Sequence, residues 1–424
     1  YARERADVSA GAPIAIGNIS YGTGVVLNKI ESLRDSILEI QLNQATQQNS
    51  SFNASLTELQ QMQTQFASSS SGIGADISNF FNSLQQLSPD PSNLELRQSV
   101  LTTAGTLATD FNNAAQSLQT QQSNLDLNVV QSVSQMNSLT AQIASVNQQI
   151  SILQNAKVNT GSLVDTRTIL IRQLSGLMNV AVIPTDQGIS LATANGTTLV
   201  SGSLSFALTT QMGAGGVQHI LSGTQDITSS LTGGSLSGLI QIRDQEIPSI
   251  ASSLDQLAAG LATNLNAANT NGTDLNGVVG GNIFAIPPAG DVGAAATMSV
   301  TMADPSLIAA STDGTTGSNG NLANLYAVST QTLANGQTPI DSYASIVFQV
   351  GNDTSNALAD SNSFGMILQQ LQDQRGSISG VSLDEEASNL ILYQTAYQAA
   401  ARVISTINAM LSDTVNLGLG SAVQ

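Results

Sequence analysis

A chain of 424 residues has room for two or three domains, at roughly 150 residues each, and an apolar content of 41% is enough to fill their cores. Only 9% of residues are charged and 4% aromatic, so Ser, Thr, Asn, Gln, Ala and Gly must cover the surface. Such a surface suits a subunit packed against copies of itself more than one guided by electrostatic steering. A net charge of -18 with 11 basic residues spread singly argues against nucleic acid, and the absence of cysteine rules out disulfides and thiolate metal sites. No stretch approaches the roughly 18 apolar residues of a membrane span, and no apolar core behind a basic start marks a secretory signal peptide.

Residues 28–178 are poor in Gly and Pro and read as helix nearly throughout. Ile30, Leu33, Ile37 and Ile40 recur at helical spacing, and Phe52, Leu56, Leu59 and Phe66 continue on a similar face. A Ser/Gly break at 68–74 and a turn at Asp90 and Pro91 divide this stretch. The longest helix is expected over 93–153. Its second half carries Val129, Val133, Met136, Leu139, Ile143, Val146, Ile150 and Leu153 as a bundle or coiled-coil seam.

From Val180 to Gly234 the period changes to two, at Val180 and Val182, Ile189 and Leu191, and Leu204, Phe206 and Leu208, with Gly-rich turns between. This predicts a small β domain of short strands. A helix of about thirty residues, 236–269, follows. A candidate strand at Met298, Val300 and Met302 then returns the chain to the same β domain. Helices restart at Asp304-Pro305 and Thr338-Pro339, each an N-cap residue before a proline. Ile340, Tyr343, Val347, Val350, Thr354, Ala357, Ser361, Phe364, Leu368 and Leu371 hold a three-four register that Gly376 and Gly380 interrupt. A last helix opens with a capping box of Ser382 and Glu385 and acidic residues 384–386. Its seam is Leu390, Tyr393, Tyr397, Ala400, Ile404, Ile407 and Leu411.

The fold class is therefore α+β: a long-helix, coiled-coil-like bundle built from N- and C-terminal segments, with an inserted small β domain. In domain terms, 1–178 is the first part of the bundle, and 179–235 and 271–303 are the two parts of the β domain, joined through a helix at 236–270. Residues 304–381 complete the bundle, and 382–424 form an amphipathic assembly helix.

Residues able to do chemistry are scarce. His219 is the one histidine, so no His-paired metal cluster exists, and the hydrolase, nucleotide and dinucleotide signatures are missing. Residues 384–386 are explained by the helix dipole, 271–277 by a turn that lacks the ligands of a calcium loop, and Arg243-Asp244 by an exposed ion pair. No catalytic residue, metal ligand or cofactor is assigned. Tyr393 and Tyr397 fit a helix core and a wet subunit contact equally well.

The run 380–411, GVSLDEEASNLILYQTAYQAAARVISTINAML, closely resembles the C-terminal signature of flagellar rod, hook and hook-associated proteins. Several blocks narrow the resemblance to the hook-associated protein 1 family: YARE at 1–4, Gly22 to Val25, FFNSLQQL at 80–87 with Pro89, Pro91 and Arg97, GGSLSGLIQIRD at 233–244, DLNG at 274–277 and DPSLIAA at 304–310. It implies a non-catalytic adaptor that joins hook to filament, exported without a cleaved signal peptide and located outside the cell. It further implies a homo-oligomeric ring, contacts with hook protein and the second junction protein, an export chaperone on the C-terminal helix, and no nucleic acid or membrane insertion. The family's N-terminal helix would precede Tyr1, so the resemblance implies that the helix after about Glu385 lacks its usual partner in this sequence. Another flagellar axial subunit is the nearest alternative; a secreted adhesin or an enzyme fits less well.

Overall fold

The computed structural model describes residues 3–16, 19–66, 72–185, 188–380 and 383–420. The chain opens with two hairpins, one inside the other. Strand β1 (Glu4–Ala10) pairs antiparallel with β4 (Val25–Ser32), with a register shift between Asp7 and Val8, and β2 (Ile14–Ile16) pairs with β3 (Ile19–Tyr21). This corrects the expectation of helix from residue 28. Consecutive Val25, Val26 and Leu27 favour an extended backbone, and Ile30 lies on a strand. Helix α1 (Ser36–Phe66) begins later, capped by the Asp35 carboxylate, which accepts from Ile37 N at 2.9 Å and Leu38 N at 3.2 Å. Its buried face is Leu38, Leu42 and Ala45, while Ile37 and Ile40 are exposed.

Helix α2 (Ile73–Leu87) and helix α3 (Leu94–Asn155) follow. Of the expected break at 68–74, residues 68–71 lie outside the described residues; Gly72 enters α2 at φ 106°. The α3 cap is Asn93, whose Oδ1 accepts from Glu95 N at 2.9 Å. Every seam residue from Val129 to Ile150 is buried, with Leu153 partly so at the fraying end. Helix α4 (Gly161–Leu177) packs back on α3.

The β domain holds two antiparallel sheets. One has the order β5-β6-β7-β8 (Ala181–Thr185, Gly188–Ala192, Thr198–Ser201, Leu204–Ser205), and the other β11-β10-β9 (Gln225–Asp226, Gln218–Ser222, Leu208–Met212). Leu191, Val200, Leu208 and Ile220 bury against the α3 seam and against Leu174 of α4. Burying four such side chains contributes about 6–12 kcal/mol of gross hydrophobic stabilisation.

Helix α5 (Ser235–Gln241), a π turn (Ile242–Glu246) and helix α6 (Ile247–Thr270) then run on as the expected long helix. Residues 271–303 differ from expectation. They contain one short helix, α7 (Ala294–Thr297), and no strand; Phe284 and Val300 form only an isolated bridge. Ile283, Phe284, Met298 and Met302 pack not with the β domain but in a second core, with α2, the first half of α3 and α6. The reason lies in three polar side chains that satisfy the backbone without a ladder. Asn266 Oδ1 accepts from Ile283 N and Phe284 N, both at 2.9 Å. Asp255 accepts from Gly293 N and Ala295 N at 2.8 and 2.9 Å, and Asn112 donates to Ala295 O at 2.7 Å.

A 3-10 turn (Pro305–Leu307) capped by Asp304 leads to α8 (Gly320–Ala327) and α9 (Pro339–Ser379). Thr338 caps α9 through Asp341 N, and α9 runs through Gly376, ending at Gly380. Tyr343, Val350, Thr354, Ala357 and Ser361 bury against the bundle, and α1 and α9 lie side by side over much of their length. Helix α10 (Leu383–Gly420) ends the described chain.

Candidate functional site

The 38 residues of α10 form an uninterrupted helix, about 57 Å long at 1.5 Å per residue. Among residues 387–401 there is no charge, and Ala is frequent, so helix propensity is high and nothing on the surface competes with the apolar stripe. The acidic residues 384–386 stand in its first turn, as the helix dipole favours; Ser382, the other half of the expected capping box, lies outside the described residues. Arg3 fastens the base of the helix. Its guanidinium bonds Glu385 Oε1 at 2.6 Å, its N–H donates to Ser379 O at 2.9 Å, and its carbonyl accepts from Leu33 N at 2.8 Å.

The stripe itself is uncovered. Leu390, Tyr393, Tyr397, Ala400, Ile404, Ile407 and Leu411 share one face at three-four spacing, and all are exposed, Leu390 by 59% and Tyr397 by 78%. From Leu383 to Thr414 every residue except Asn389 is exposed, and beyond the Arg3 contact at its base α10 has no extensive packing against another element. Of the two readings of Tyr393 and Tyr397, a core within this chain is not the arrangement seen. An apolar face of this length in water is the mark of an interaction surface.

The residues singled out for chemistry are not brought together. His219 Nδ1 lies 2.6 Å from Asp226 Oδ2 on the half-exposed face of the small sheet. Hydrogen bonds from Thr228 first, and then the bond and charge of His219, hold the Asp226 carboxyl below its ordinary value. Asp274 closes a turn by accepting from Asn276 N and Val278 N at 2.8 and 2.9 Å. Among the described residues, no group of three or more His, Cys, Asp or Glu could hold a metal ion, and no helix is long and apolar enough to cross a membrane.

Arg243 overturns its expected role as part of an exposed pair. It is fully buried in the π turn, where it bonds Asp126 Oδ1 at 2.8 Å, Asp244 Oδ1 at 2.7 Å and Gln218 O at 2.9 Å. It thereby ties α3 and the β domain to the long helix. Arg97 does the same work at the other core, bonding Pro91 O at 2.5 Å and Ile308 O at 2.6 Å. Sequence reasoning also passed over Asp76. Burial, a hydrogen bond to Asp110 and the charge of Asp110 raise its carboxyl from 3.8 to about 6, and its Oδ2 is buried without a partner.

The blocks that carry the family resemblance coincide with these joints: FFNSLQQL supplies the core shared by α2, the first half of α3 and α6, GGSLSGLIQIRD the α5 and π-turn segment, and DPSLIAA the carbonyls around Arg97. A family model described as the flagellar hook-associated protein FlgK helical domain matches residues 59–284, more than half of the chain. A second, the C-terminal region of flagellar basal body rod FlgEFG proteins, matches 374–417. Flagellar hook-associated protein 1 of Escherichia coli strain K12 is 26% identical, over 93% of this chain and 90% of that protein. Its counterpart in Bacillus subtilis strain 168 is 28% identical, over 94% and 87%. The flagellar hook junction protein FlgK of Burkholderia pseudomallei shares the fold with a TM-score of 0.73 at 20% identity, over 80% of this chain and all of that one. With the helical-domain match reaching into both cores and the second match covering most of the uncovered helix, this chain belongs to the flagellar hook-associated protein FlgK family.

Proposed function

We propose that this protein is a structural adaptor of the bacterial flagellum that joins hook to filament and performs no catalysis. The observation that carries this is α10: an uncovered apolar stripe, free of charge over 387–401, within the segment that matches the rod-protein C-terminal family. A stripe of this kind gains its stabilisation from partner helices. In this reading the subunit leaves the cell through the flagellar export apparatus and assembles as a ring. Leu390, Tyr393, Tyr397, Ala400, Ile404, Ile407 and Leu411 pack against other axial chains, hook protein and the second junction protein among them. An export chaperone shields the same stripe before secretion. In this reading the bundle and the β domain are the parts of the body that the assembly helix carries.

The test is removal of α10 from the chromosomal gene in the protein's own bacterium, with electron microscopy of the flagella. Hooks without filaments are expected. Filaments of normal number and length on such cells would overturn the proposal.

A further inference from the structure

The region where α10 leaves the body is fastened by ionic groups that differ in burial. Glu39 of α1 accepts from Arg172 Nη2 of α4 at 2.8 Å and from Arg375 Nε of α9 at 2.6 Å, which ties the end of α9 to the bundle. Arg34, between the outer hairpin and α1, bonds the Asp165 carboxylate of α4 and donates to Thr168 Oγ1 at 2.9 Å, which ties the hairpin to the same helix. The side chains of Glu39, Arg34 and Asp165 are 18%, 17% and 12% exposed. Those of Arg3 and Glu385 are 35% and 51% exposed, so of these bonds theirs is the one that water and salt reach most easily.

Arg3 meets three elements with different groups. Its backbone joins the hairpin to the body, the N–H donating to Ser379 O at 2.9 Å and the carbonyl accepting from Leu33 N at 2.8 Å. Its guanidinium reaches α10, at Glu385 Oε1. Removing the side chain therefore loosens α10 and leaves the hairpin in place. The backbone path gives α10 little direction of its own. Helix α9 ends at Gly380 in an extended conformation (φ -68°, ψ 145°), where a Cβ would collide with Gly376 O, so α10 does not continue the hydrogen bonds of α9. With no extensive packing along its 38 residues, α10 is a long lever: a tilt of about 10° at the base moves the far end by about 10 Å.

We propose that Arg3 is a positioning residue for the assembly helix, its guanidinium acting through Glu385 as an exposed, salt-sensitive latch that fixes the direction in which α10 presents its stripe. The inference rests on reading the stripe as an assembly surface.

Because the chain has no cysteine, a pair of spin labels can be placed without interference, at Gln173→Cys on an exposed position of α4 and at Thr395→Cys on the face of α10 opposite the stripe. In the full-length protein at low salt the distance distribution between the labels is expected to be narrow. It is expected to widen about twofold in Arg3→Ala, and likewise in the parent at about 1 M salt, where the screening length falls to about 3 Å. Arg3→Lys should keep it narrow, Arg3→Glu should widen it, and Arg3→Glu combined with Glu385→Arg should narrow it again. Equal widths in the parent and Arg3→Ala, or no recovery in the charge swap, overturn the latch. The thermal midpoint is expected to be unchanged by Arg3→Ala, since the pair is exposed; a lowered midpoint would make Arg3 a part of the stability of the body instead. In the bacterium, the fraction of hooks that bear filaments is expected to fall severalfold with Arg3→Glu and to recover with the swap, and an unchanged fraction overturns the positioning role. Each of these failures is compatible with bare hooks on removing α10, whereas normal filaments without α10 would sink the assembly reading itself.

Discussion

Asp76 and Asp110 face each other where α2, α3 and the start of α9 meet, with the Tyr343 hydroxyl the other titratable group beside them. Desolvation disfavours the Asp76 anion most, and the bond and charge of Asp110 add to it, so the folded carboxyl titrates at about 6 against 3.8 when unperturbed. Between those values the native state holds more proton than the unfolded chain, so stability falls as pH rises through about 4 to 6 and stays lower above it. Asp76→Asn removes that loss. Its thermal midpoint is expected to fall less than the parent's between pH 4 and pH 8, burial of Glu246 and Asp353 leaving the remainder, and at pH 8 the variant gains about 1–3 kcal/mol over the parent. A parent midpoint that is flat over the same range would refute the assignment. Arg243 is the opposite case, a buried cation that satisfies Asp126, Asp244 and a β10 carbonyl at once. Arg243→Met leaves the Gln218 carbonyl without this donor and the Asp126 carboxylate with the Gln218 N–H alone, and is expected to cost about 3–5 kcal/mol in urea denaturation. A loss under 1 kcal/mol would mean that the joint between α3 and the β domain does not depend on it.

Among the elements, the segment at 233–244 shows why a family block can be recognised long before it is understood. Gly234 has φ 77°, and a Cβ there would collide with the Leu177 carbonyl carbon and the Met178 nitrogen. Gly238 lets α5 lie directly on α1, since a Cβ would strike Ser51 O. Gly238→Ala forces the two helices apart and is expected to destabilise the chain by about 1–3 kcal/mol, read as a lower thermal midpoint; an unchanged midpoint would show that α5 and α1 are not in close packing. The period-based reading of the helices held wherever a long buried face imposed it, as along α3 from Val129 to Ile150. It failed at the entry to α1, where Ile30 on β4 and Leu33 just after it line up at helical spacing with Ile37 and Ile40, although neither Ile37 nor Ile40 is buried. It failed again at 271–303, because Asn112, Asp255 and Asn266 come from other helices to hold that backbone, and long-range hydrogen bonds leave no local period. The α10 stripe was fully legible, since exposure leaves its heptad spacing intact; the burial of Arg243 was not, because its partners lie 25 and 117 residues away.

For the whole molecule, folding and assembly are carried by different residues. The two cores lie within residues 38–357, while α10 contributes no buried side chain among those described. Substituting its stripe should therefore leave the fold unchanged. With Leu390→Ser and Ile404→Ser together, the thermal midpoint is expected to stay within about 0.5 kcal/mol of the parent, the range for exposed positions. The same chain should fail to support filaments in the bacterium, because two polar residues on a seam of seven interrupt the helix-to-helix packing. The pairing of a normal midpoint with bare hooks is the decisive result, since a misfolded subunit would also leave hooks bare. A double variant that folds normally and still builds filaments would mean that the stripe is not the contact surface. A midpoint that falls by several degrees would mean that α10 packs on the body of the protein in solution.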